Sequence, residues 1–232
     1  MTVNVVVLQS NYLPWIGYFD LIGRADICVF YDDVQYTKND WRNRNRITTK
    51  NGLEWITVPV GQSISRLINQ VKLNDSSWQE EHYRQISNAY KVSSKDTWSL
   101  ELLDRLYRKK QWTSLSELNQ ETIRFICRDY LNINTQFDTS INYDLHGKGE
   151  IRLLSLLGQL NATHYLTGPA GMNYLHLNHF ADAGIGLEII NYPRYSEYEQ
   201  IQKPFSSKVS IIDLLLNLRM SASTYLQDQE ME

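Results

Sequence analysis

The stretch that decides the fold runs from Val3 to Asp33 and reads VNVVVLQSNYLPWIGYFDLIGRADICVFYDD. Apart from Asn4, its first six residues are apolar and largely β-branched, which is typical of a strand covered on both faces. Pro14 follows a short polar turn and suits the first turn of a helix, because its missing N–H would have no helical partner there. A second β-rich run, Asp26 to Tyr31, follows. Strand, helix and strand in about 30 residues predict a βαβ unit with parallel strands.

The rest of the chain repeats this alternation and interrupts it once. Between Trp78 and Leu131, apolar residues recur at helical spacing and are separated by charges, which predicts about three helices. We therefore divide the chain into an N-terminal α/β half (1–77), a helical insertion (78–135) and a C-terminal α/β half (136–232). The predicted fold class is α/β, with a parallel-sheet core and a helical insertion in the middle of one composite domain.

In the C-terminal half, amphipathic spacing predicts helices at Gly149–Leu160 and Ile211–Leu218. Short apolar runs predict strands at His164–Thr167 and Leu187–Tyr192. A further strand is expected at Trp55–Val60, and the residues before it are interpreted as a loop.

Composition excludes several functional classes. The formal net charge of −3 argues against a nucleic-acid-binding face, which usually needs a basic surface. No apolar run approaches the roughly 20 residues of a membrane helix, and the N-terminus lacks a basic leader and a cleavage site. Cys28 and Cys127 are far apart and form no metal-binding pattern. We expect a cytoplasmic protein with reduced thiols and neither a nucleic-acid partner nor a membrane span.

Three segments carry polar or glycine residues where predicted strands end. They are Gln9–Pro14, Asp32–Tyr36 and Thr167–Gly171. In open parallel sheets, ligands bind beyond the carboxyl ends of the strands, and glycine lets a backbone approach a ligand closely. We expect the three segments to meet at one rim.

A basic cluster follows in YTKNDWRNRNRI, Tyr36 to Ile47, and it is local because the whole chain is acidic. Arginine forks match the geometry of phosphate and carboxylate groups. The nearby aspartate pair suits several roles: it could hold these arginines, bind a metal together with a phosphate, or cap a turn. His176 and His179 lie three apart, as two ligands on one helix face would. No third ligand with zinc spacing stands near them in the sequence, so no metal site is assigned.

These patterns define a candidate site. The predicted catalytic residues, acting as base or orienting groups, are Asp32, Asp33 and Lys38. The predicted substrate-binding residues are Gln9, Asn11, Tyr12, Gln35, Arg42, Arg44, Asn45, Thr167 and Gly168. The cofactor is left unknown.

The block QSNYLPWIGYFDLI…AD…YDDVQYTKNDWRNRNRI…WITVPV resembles the WbqC-like protein family, and the resemblance continues in ATHYLTGPAGMNYL and FSSKVSIIDLLLN. Two positions depart from the family pattern. Ser10 stands where a proline usually follows the first glutamine, and Asn191 and Tyr192 precede Pro193 where a histidine is often found. The resemblance implies a role in bacterial gene clusters for O-antigens and related surface glycans.

A looser resemblance links the PxxGxF turn and the following AD to the HIGH-motif nucleotidylyltransferases and pantothenate-synthetase-like ligases. Those enzymes place two phosphate-binding histidines around the glycine. The matching positions here are Trp15 and Tyr18, which carry no charge. This resemblance implies a shared fold layout, whereas the lost imidazoles argue against the same adenylyl-transfer chemistry.

Three functions stay open from the sequence. The first is a transferase that places an acyl or aminoacyl group on a nucleotide-activated amino sugar, with a nucleotide-linked sugar and an acyl or aminoacyl donor as partners. The second is an ATP-dependent nucleotidyltransferase or ligase of HIGH-like fold. The third is a non-catalytic partner of a glycan-assembly complex that docks through the aromatic segment Trp98–Trp112.

Overall fold

Five parallel strands form the central sheet of the computed structural model, which describes residues 2–229. The strands are β1 (Asn4–Leu8), β2 (Ile27–Phe30), β5 (Gln136–Thr139), β6 (His164–Thr167) and β7 (Gly186–Ile189). Their spatial order is β5-β2-β1-β6-β7, and every neighbouring pair is parallel. The prediction of an α/β fold with a parallel sheet is confirmed.

Eight α-helices accompany the strands within the described residues. They are α1 (Ile16–Gly23), α2 (Ser77–Ala89), α3 (Thr97–Tyr107), α4 (Leu115–Phe125), α5 (Gly149–Gln159), α6 (Leu177–Asp182), α7 (Ile211–Leu218) and α8 (Ala222–Gln227). Side-chain caps fix several of the N-termini: Asp96 accepts from the Ser99 N–H at the start of α3, and Ser114 does the same for Glu117 at α4. None of these helices is long and apolar enough to cross a membrane.

The sheet is covered on both faces, because successive residues of a strand point to opposite sides. Val5 of β1 and Val29 of β2 are fully buried against the Leu156 and Leu157 side of α5. Val6 and Cys28 lie in the larger core that also contains the apolar faces of α1, α4 and α7. Continuous apolar strands follow from this two-sided burial.

The helices α2, α3 and α4 bury their apolar side chains in the same core as the sheet. Trp112 is only 3% exposed, and Trp98 packs edge-on against Tyr130 at a ring distance of 5.2 Å. The segment Trp98–Trp112 therefore faces largely inward and does not present its aromatic side chains as a docking face.

A second, antiparallel sheet differs from the predicted loop. Strands β3 (Arg44–Thr49) and β4 (Gly52–Thr57) form a hairpin in which Thr49 pairs with Gly52 across a two-residue connection. Gly52 has φ +117°, which a residue with a side chain rarely adopts. The hairpin places Arg44 and Arg46 of the predicted loop on a strand, whereas Lys38 and Arg42 precede it.

The buried carboxylate of Asp213 in α7 ties this hairpin to the rest of the fold. It accepts hydrogen bonds from the hydroxyls of Thr48, Tyr90 and Tyr198 and from the Gln200 amide. Because a buried charge is tolerated only when it is fully hydrogen-bonded, this cluster fixes the position of the hairpin against the C-terminal helices.

Candidate functional site

The chain reverses its direction across the sheet between β1 and β6. From β1 it proceeds outward to β2 and β5, and then returns to β6 on the other side of β1. Ligands of doubly wound sheets bind at this topological switch point, beyond the carboxyl ends of the strands.

A cleft of about 460 Å³ lies at the predicted position. Leu8 and Gln9 line it at the end of β1, and Thr167 and Gly168 line it at the end of β6. We call this depression, with Arg42 and Glu150 on its walls, the switch-point cleft.

A larger depression of about 890 Å³ lies at the other end of the sheet, against the first residues of the strands. Its lining includes Val3, Ile27 and Gln136. The charged pair there, Arg24 and Asp20, is already joined at 2.8 Å. We place the candidate site in the switch-point cleft, because this cleft lies where the strand order reverses and Arg42 lines it.

The turn between β1 and α1 has a strained backbone. Leu13 has φ +43°, which is unfavourable for a residue with a bulky side chain. The buried Asn45 amide of β3 donates to the Leu13 carbonyl at 2.7 Å and holds the turn in place. Such strain persists only where surrounding structure imposes it, and it clusters at functional sites.

Arg42 brings a positive charge to the cleft. Its guanidinium donates to the side-chain oxygens of Gln9 and Asn11, so three predicted substrate-binding residues form one hydrogen-bonded group. The nearest carboxylate, Asp40, is 3.7 Å from the Arg42 guanidinium. The Arg42 carbonyl accepts from the Asn119 amide of α4 at 2.8 Å. The helical middle of the chain thus orients this part of the site.

Asp32 is buried and does not line the cleft; its carboxylate joins two segments of the chain by hydrogen bonds. Its carboxylate accepts the backbone N–H and the hydroxyl of Ser10 at 2.8 and 2.7 Å. The Ser116 hydroxyl and the Gln120 amide, both on α4, donate to the same carboxylate. Asp32 therefore fixes the β1–α1 turn to the helix that also holds Arg42.

Asp33 pairs with Arg152 of α5 at 2.5 Å and accepts from the Ser140 hydroxyl at 2.5 Å. Burial alone would raise the pKa of Asp33, but these hydrogen bonds and the charge of Arg152 outweigh it and lower the pKa. Asp33 is consequently a weak proton acceptor at neutral pH. The Arg152 guanidinium also lies 4.8 Å from the ring of Tyr31, which lines the cleft.

Two exposed indoles and two half-buried arginines lie together at the β3–β4 hairpin and the turn before it. We call this the Trp–Arg surface: Trp41, Trp55, Arg44 and Arg46. The rings of Trp41 and Trp55 are 5.6 Å apart, and the two side chains are 42% and 44% exposed. Arg44 lies 4.3 Å over the Trp55 ring, and Arg46 pairs with Trp55 across the hairpin. Arg44 and Arg46 share one face of β3 because they are two residues apart.

The charges of the Trp–Arg surface have little internal compensation. Within residues 2–229, neither Arg44 nor Arg46 forms an ion pair, although the Nε atom of each is buried from solvent. Their hydrogen bonds go to the backbone carbonyls of Asn39 and Lys208. Such guanidinium groups are available to an anion.

A side pocket of about 210 Å³ lies beside the switch-point cleft, next to the Trp–Arg surface. Trp41 and Arg46 line this side pocket together with Lys208. Asn11 and Trp15 line both depressions, so the two are neighbours that share a wall.

Tyr12 points away from the cleft. It is 1% exposed, and its hydroxyl lies 2.8 Å from His82 Nδ1 and 2.7 Å from the Tyr107 hydroxyl. Burial lowers the pKa of His82 to about 4, although a backbone hydrogen bond with Thr57 opposes the shift. Tyr12 therefore serves the packing of the β1–α1 turn on α2 and α3.

Some of the remaining predicted residues line the cleft and others lie away from it. Gln35 is exposed and donates to the Ile64 carbonyl, and Lys38 is exposed and donates to the side chain of Gln62 at 3.1 Å. Neither lines the switch-point cleft. The residues that the structure brings together there are Gln9, Asn11, Arg42, Thr167 and Gly168.

Several residues of the cleft were not singled out from the sequence. Most of them are aromatic: Trp15, Tyr18, Tyr31, Tyr165, Tyr174 and Tyr192. The high Tyr and Trp content was the available signal, but composition does not say which rings share a cavity. Trp15 and Tyr18, the positions compared with the HIGH histidines, are uncharged wall residues; the Tyr18 hydroxyl donates to the Gln9 carbonyl at 3.1 Å.

Glu150, at the start of α5, is a further cleft residue that sequence reasoning missed. One of its carboxylate oxygens accepts the backbone N–H of His176, and the other lies near the Nδ1 atoms of His176 and His179. The backbone hydrogen bond is the largest influence on the pKa of Glu150, which is lowered to about 2. Because Glu150 also lines the cleft, the histidines stand at its edge.

The sheet order and the cleft define a doubly wound α/β protein with a cleft at the switch point. A model of the WbqC-like protein family matches residues 9–225, so the chain belongs to this family. Uncharacterized protein Rv1507c of Mycobacterium tuberculosis (strain ATCC 25618 / H37Rv) is 40% identical over 227 residues, which cover 97% of both chains. No solved structure shows a significant match.

Proposed function

We propose that the protein is a transferase that acts on a nucleotide-activated amino sugar in the synthesis of bacterial O-antigens or related surface glycans, in the cytoplasm. In the proposed reaction, the sugar amine attacks the carbonyl of an acyl or aminoacyl donor. A C–N bond forms, the bond to the donor's leaving group breaks, and the amine loses a proton. The pathway is the one that the family resemblance implies.

The observation that carries this proposal is that the side pocket beside the Trp–Arg surface shares Asn11 and Trp15 with the switch-point cleft. An exposed indole can stack on a base, which contributes about 1–3 kcal/mol in single-stranded nucleic-acid complexes. Guanidinium groups without a carboxylate partner suit the phosphates of a nucleoside diphosphate. The nucleotide would occupy the Trp–Arg surface and the sugar would extend into the cleft.

The five predicted residues in the cleft take the sugar and donor in this proposal. Arg42 binds a carboxylate, phosphate or carbonyl oxygen, and its hydrogen bonds to Gln9 and Asn11 fix its direction. Thr167 and Gly168 form the opposite wall. Asp32 and Asp33 act as positioning residues, since the first is buried and the second is held ionised by Arg152. Lys38 and Gln35 lie outside the proposed site.

The experiment is a thermal-shift screen of the full chain against nucleoside diphosphate sugars, ATP with magnesium, and free amino acids. A ligand at 100 times its dissociation constant stabilises the folded state by about 2.7 kcal/mol. We expect stabilisation by a nucleoside diphosphate sugar, weakened in Trp41→Ala and Arg46→Ala. Arg84→Ala, an exposed arginine of α2, is the matched control and should bind normally.

Two outcomes would contradict the proposal. Stabilisation by ATP with magnesium, without any by nucleoside diphosphate sugars, would favour the nucleotidyltransferase or ligase alternative. Equal binding of the sugar nucleotide by Trp41→Ala, Arg46→Ala and Arg84→Ala would place the nucleotide elsewhere.

A further inference from the structure

Three side chains converge where the N-terminal ends of α5 and α6 meet, at the edge of the switch-point cleft. They are Glu150 on α5, and His176 and His179 at the start of α6. One ligand atom from each lies within 4.8 Å of the other two. Within residues 2–229, this is the only such cluster of three His, Cys, Asp or Glu side chains.

From this convergence, we propose that Glu150, His176 and His179 bind a divalent transition-metal ion of the zinc type. Two imidazole nitrogens and one carboxylate oxygen form the ligand set of several open zinc sites, in which water or substrate completes the coordination. The same set also suits non-haem iron, so the ligand class is a borderline divalent cation and not Mg²⁺ or Ca²⁺, which prefer oxygen.

The distances between the ligand atoms fit this assignment. With metal–ligand bonds of about 2.0–2.1 Å, the ligands of a tetrahedral site are about 3.3 Å apart. Glu150 Oε2 lies 3.1 Å from His176 Nδ1 and 2.6 Å from His179 Nδ1. A small rotation of the exposed His179 ring would open the shorter distance to the value that a metal requires.

The orientation of Glu150 is fixed independently of any metal. Its Oε1 atom accepts the backbone N–H of His176 at 2.6 Å, which leaves Oε2 directed at both imidazoles. The Glu150 side chain is 11% exposed, whereas those of His176 and His179 are 70% and 58% exposed. A fixed carboxylate with two solvent-accessible imidazoles leaves coordination positions open.

An ordinary helix cap explains less of this geometry. Capping of α6 requires only the hydrogen bond from the His176 backbone N–H to Oε1. It does not require both Nδ1 atoms to approach the same Oε2 atom. When no metal is bound, each ring must carry a proton on Nδ1 to donate there, and a cation can replace both protons.

The test is isothermal titration of the full chain with Zn²⁺, without nucleotide, at neutral pH. We expect saturable binding of one ion. Losing a ligand should weaken the binding by more than the roughly 10–100-fold that removal of an outer-shell partner typically costs. His176→Ala and His179→Ala retain the backbone cap and should fold normally, so a loss of affinity in both reports on the metal. Glu150→Gln keeps a cap acceptor and should also bind weakly.

His146→Ala is the matched control, because His146 is exposed and lies outside the cluster. Its affinity for Zn²⁺ should equal that of the wild type. The inference is overturned if the wild type shows no saturable binding, or if His176→Ala and His179→Ala bind Zn²⁺ as tightly as His146→Ala. Either result leaves the proposed transferase activity untouched, because nucleotide binding is measured separately.

Discussion

Two polar clusters lie near the β1–α1 turn, and they differ in how their charges are satisfied. The Asp32 carboxylate accepts four hydrogen bonds from Ser10, Ser116 and Gln120 and is buried. The Trp–Arg surface carries two guanidinium groups that lack carboxylate partners within the described part of the chain. A charge that is satisfied internally serves the architecture, whereas a guanidinium group bonded only to a backbone carbonyl can still bind an anionic ligand.

The largest effect is expected from Asp32→Ala, which tests the architectural side of this comparison. Removing the carboxylate leaves buried donors from Ser10, Ser116 and Gln120 without an acceptor, and each unsatisfied group costs about 1–3 kcal/mol. We expect the free energy of unfolding in urea to fall by about 3–5 kcal/mol. Asp144→Ala, whose side chain is 92% exposed, is the control and should change it by less than about 0.5 kcal/mol. Equal stability of the two variants would contradict the role of Asp32.

The buried His82 next to Tyr12 should make the stability of the protein depend on pH. His82 has a pKa of about 4 in the folded protein and an ordinary value of 6.5 when unfolded. Between these values the unfolded chain binds more protons, so stability is highest above pH 6.5 and falls as the pH drops towards 4. The loss should reach about 3 kcal/mol, at 1.36 kcal/mol per pH unit. His82→Gln cannot titrate, and its unfolding free energy should change less over this window; an unchanged slope would refute the assignment.

Trp41→Ala tests whether the Trp–Arg surface binds a ligand without stabilising the fold. Its side chain is 42% exposed, so the free energy of unfolding should change by less than about 0.5 kcal/mol. Loss of one stacking partner should weaken nucleotide binding by about tenfold, at the low end of the 1–3 kcal/mol that stacking contributes. The comparison between the clusters fails if Trp41→Ala destabilises the fold as Asp32→Ala does.

The smallest effect on stability is expected at Asp33. Unlike Asp32 it is partly exposed, and unlike Arg44 and Arg46 it has a charged partner. Its pKa in the folded protein is below the ordinary 3.8, so its stabilising contribution is present above pH 3.8 and is lost as the pH falls through the folded-state pKa. Asp33→Asn should reduce the loss of stability below about pH 4, measured by acid unfolding. Ser140→Ala removes one hydrogen bond and should give a weaker change in the same direction. A steeper acid transition in Asp33→Asn would contradict the pairing.

The parallel sheet could be predicted because each strand carries its own local signal. The βαβ start, the helices at Gly149–Gln159 and Ile211–Leu218 and the strand at His164–Thr167 all follow from periodicity and length. The β3–β4 hairpin was missed, although the turn residues Lys50 and Asn51, followed directly by Gly52, are a hairpin signal between two β-rich segments. The density of charges at Arg42, Arg44 and Arg46 suggested a loop, and cross-strand packing of arginine on Trp55 overrode that expectation.

The candidate site was less predictable, because it depends on strand order and side-chain direction. Gln9, Arg42 and Gly168 come together only because β6 lies beside β1, which no local pattern encodes. Tyr12 and Asp32 had the right residue types and positions near the strand ends, but their side chains point into the protein. The hydrogen bond between Glu150 and His176 joins residues that are 26 positions apart, so no short-range sequence pattern indicated it.

Saturation-transfer NMR with a nucleoside diphosphate sugar tests the central claim most directly, since it reports which part of the ligand contacts the protein. If the base stacks on the Trp–Arg surface, we expect the strongest saturation on the base protons and weaker saturation on the sugar. The base signal should be lost in Trp41→Ala but not in Arg84→Ala. Absence of saturation transfer to the wild-type ligand, or a base signal that survives in Trp41→Ala, would contradict it.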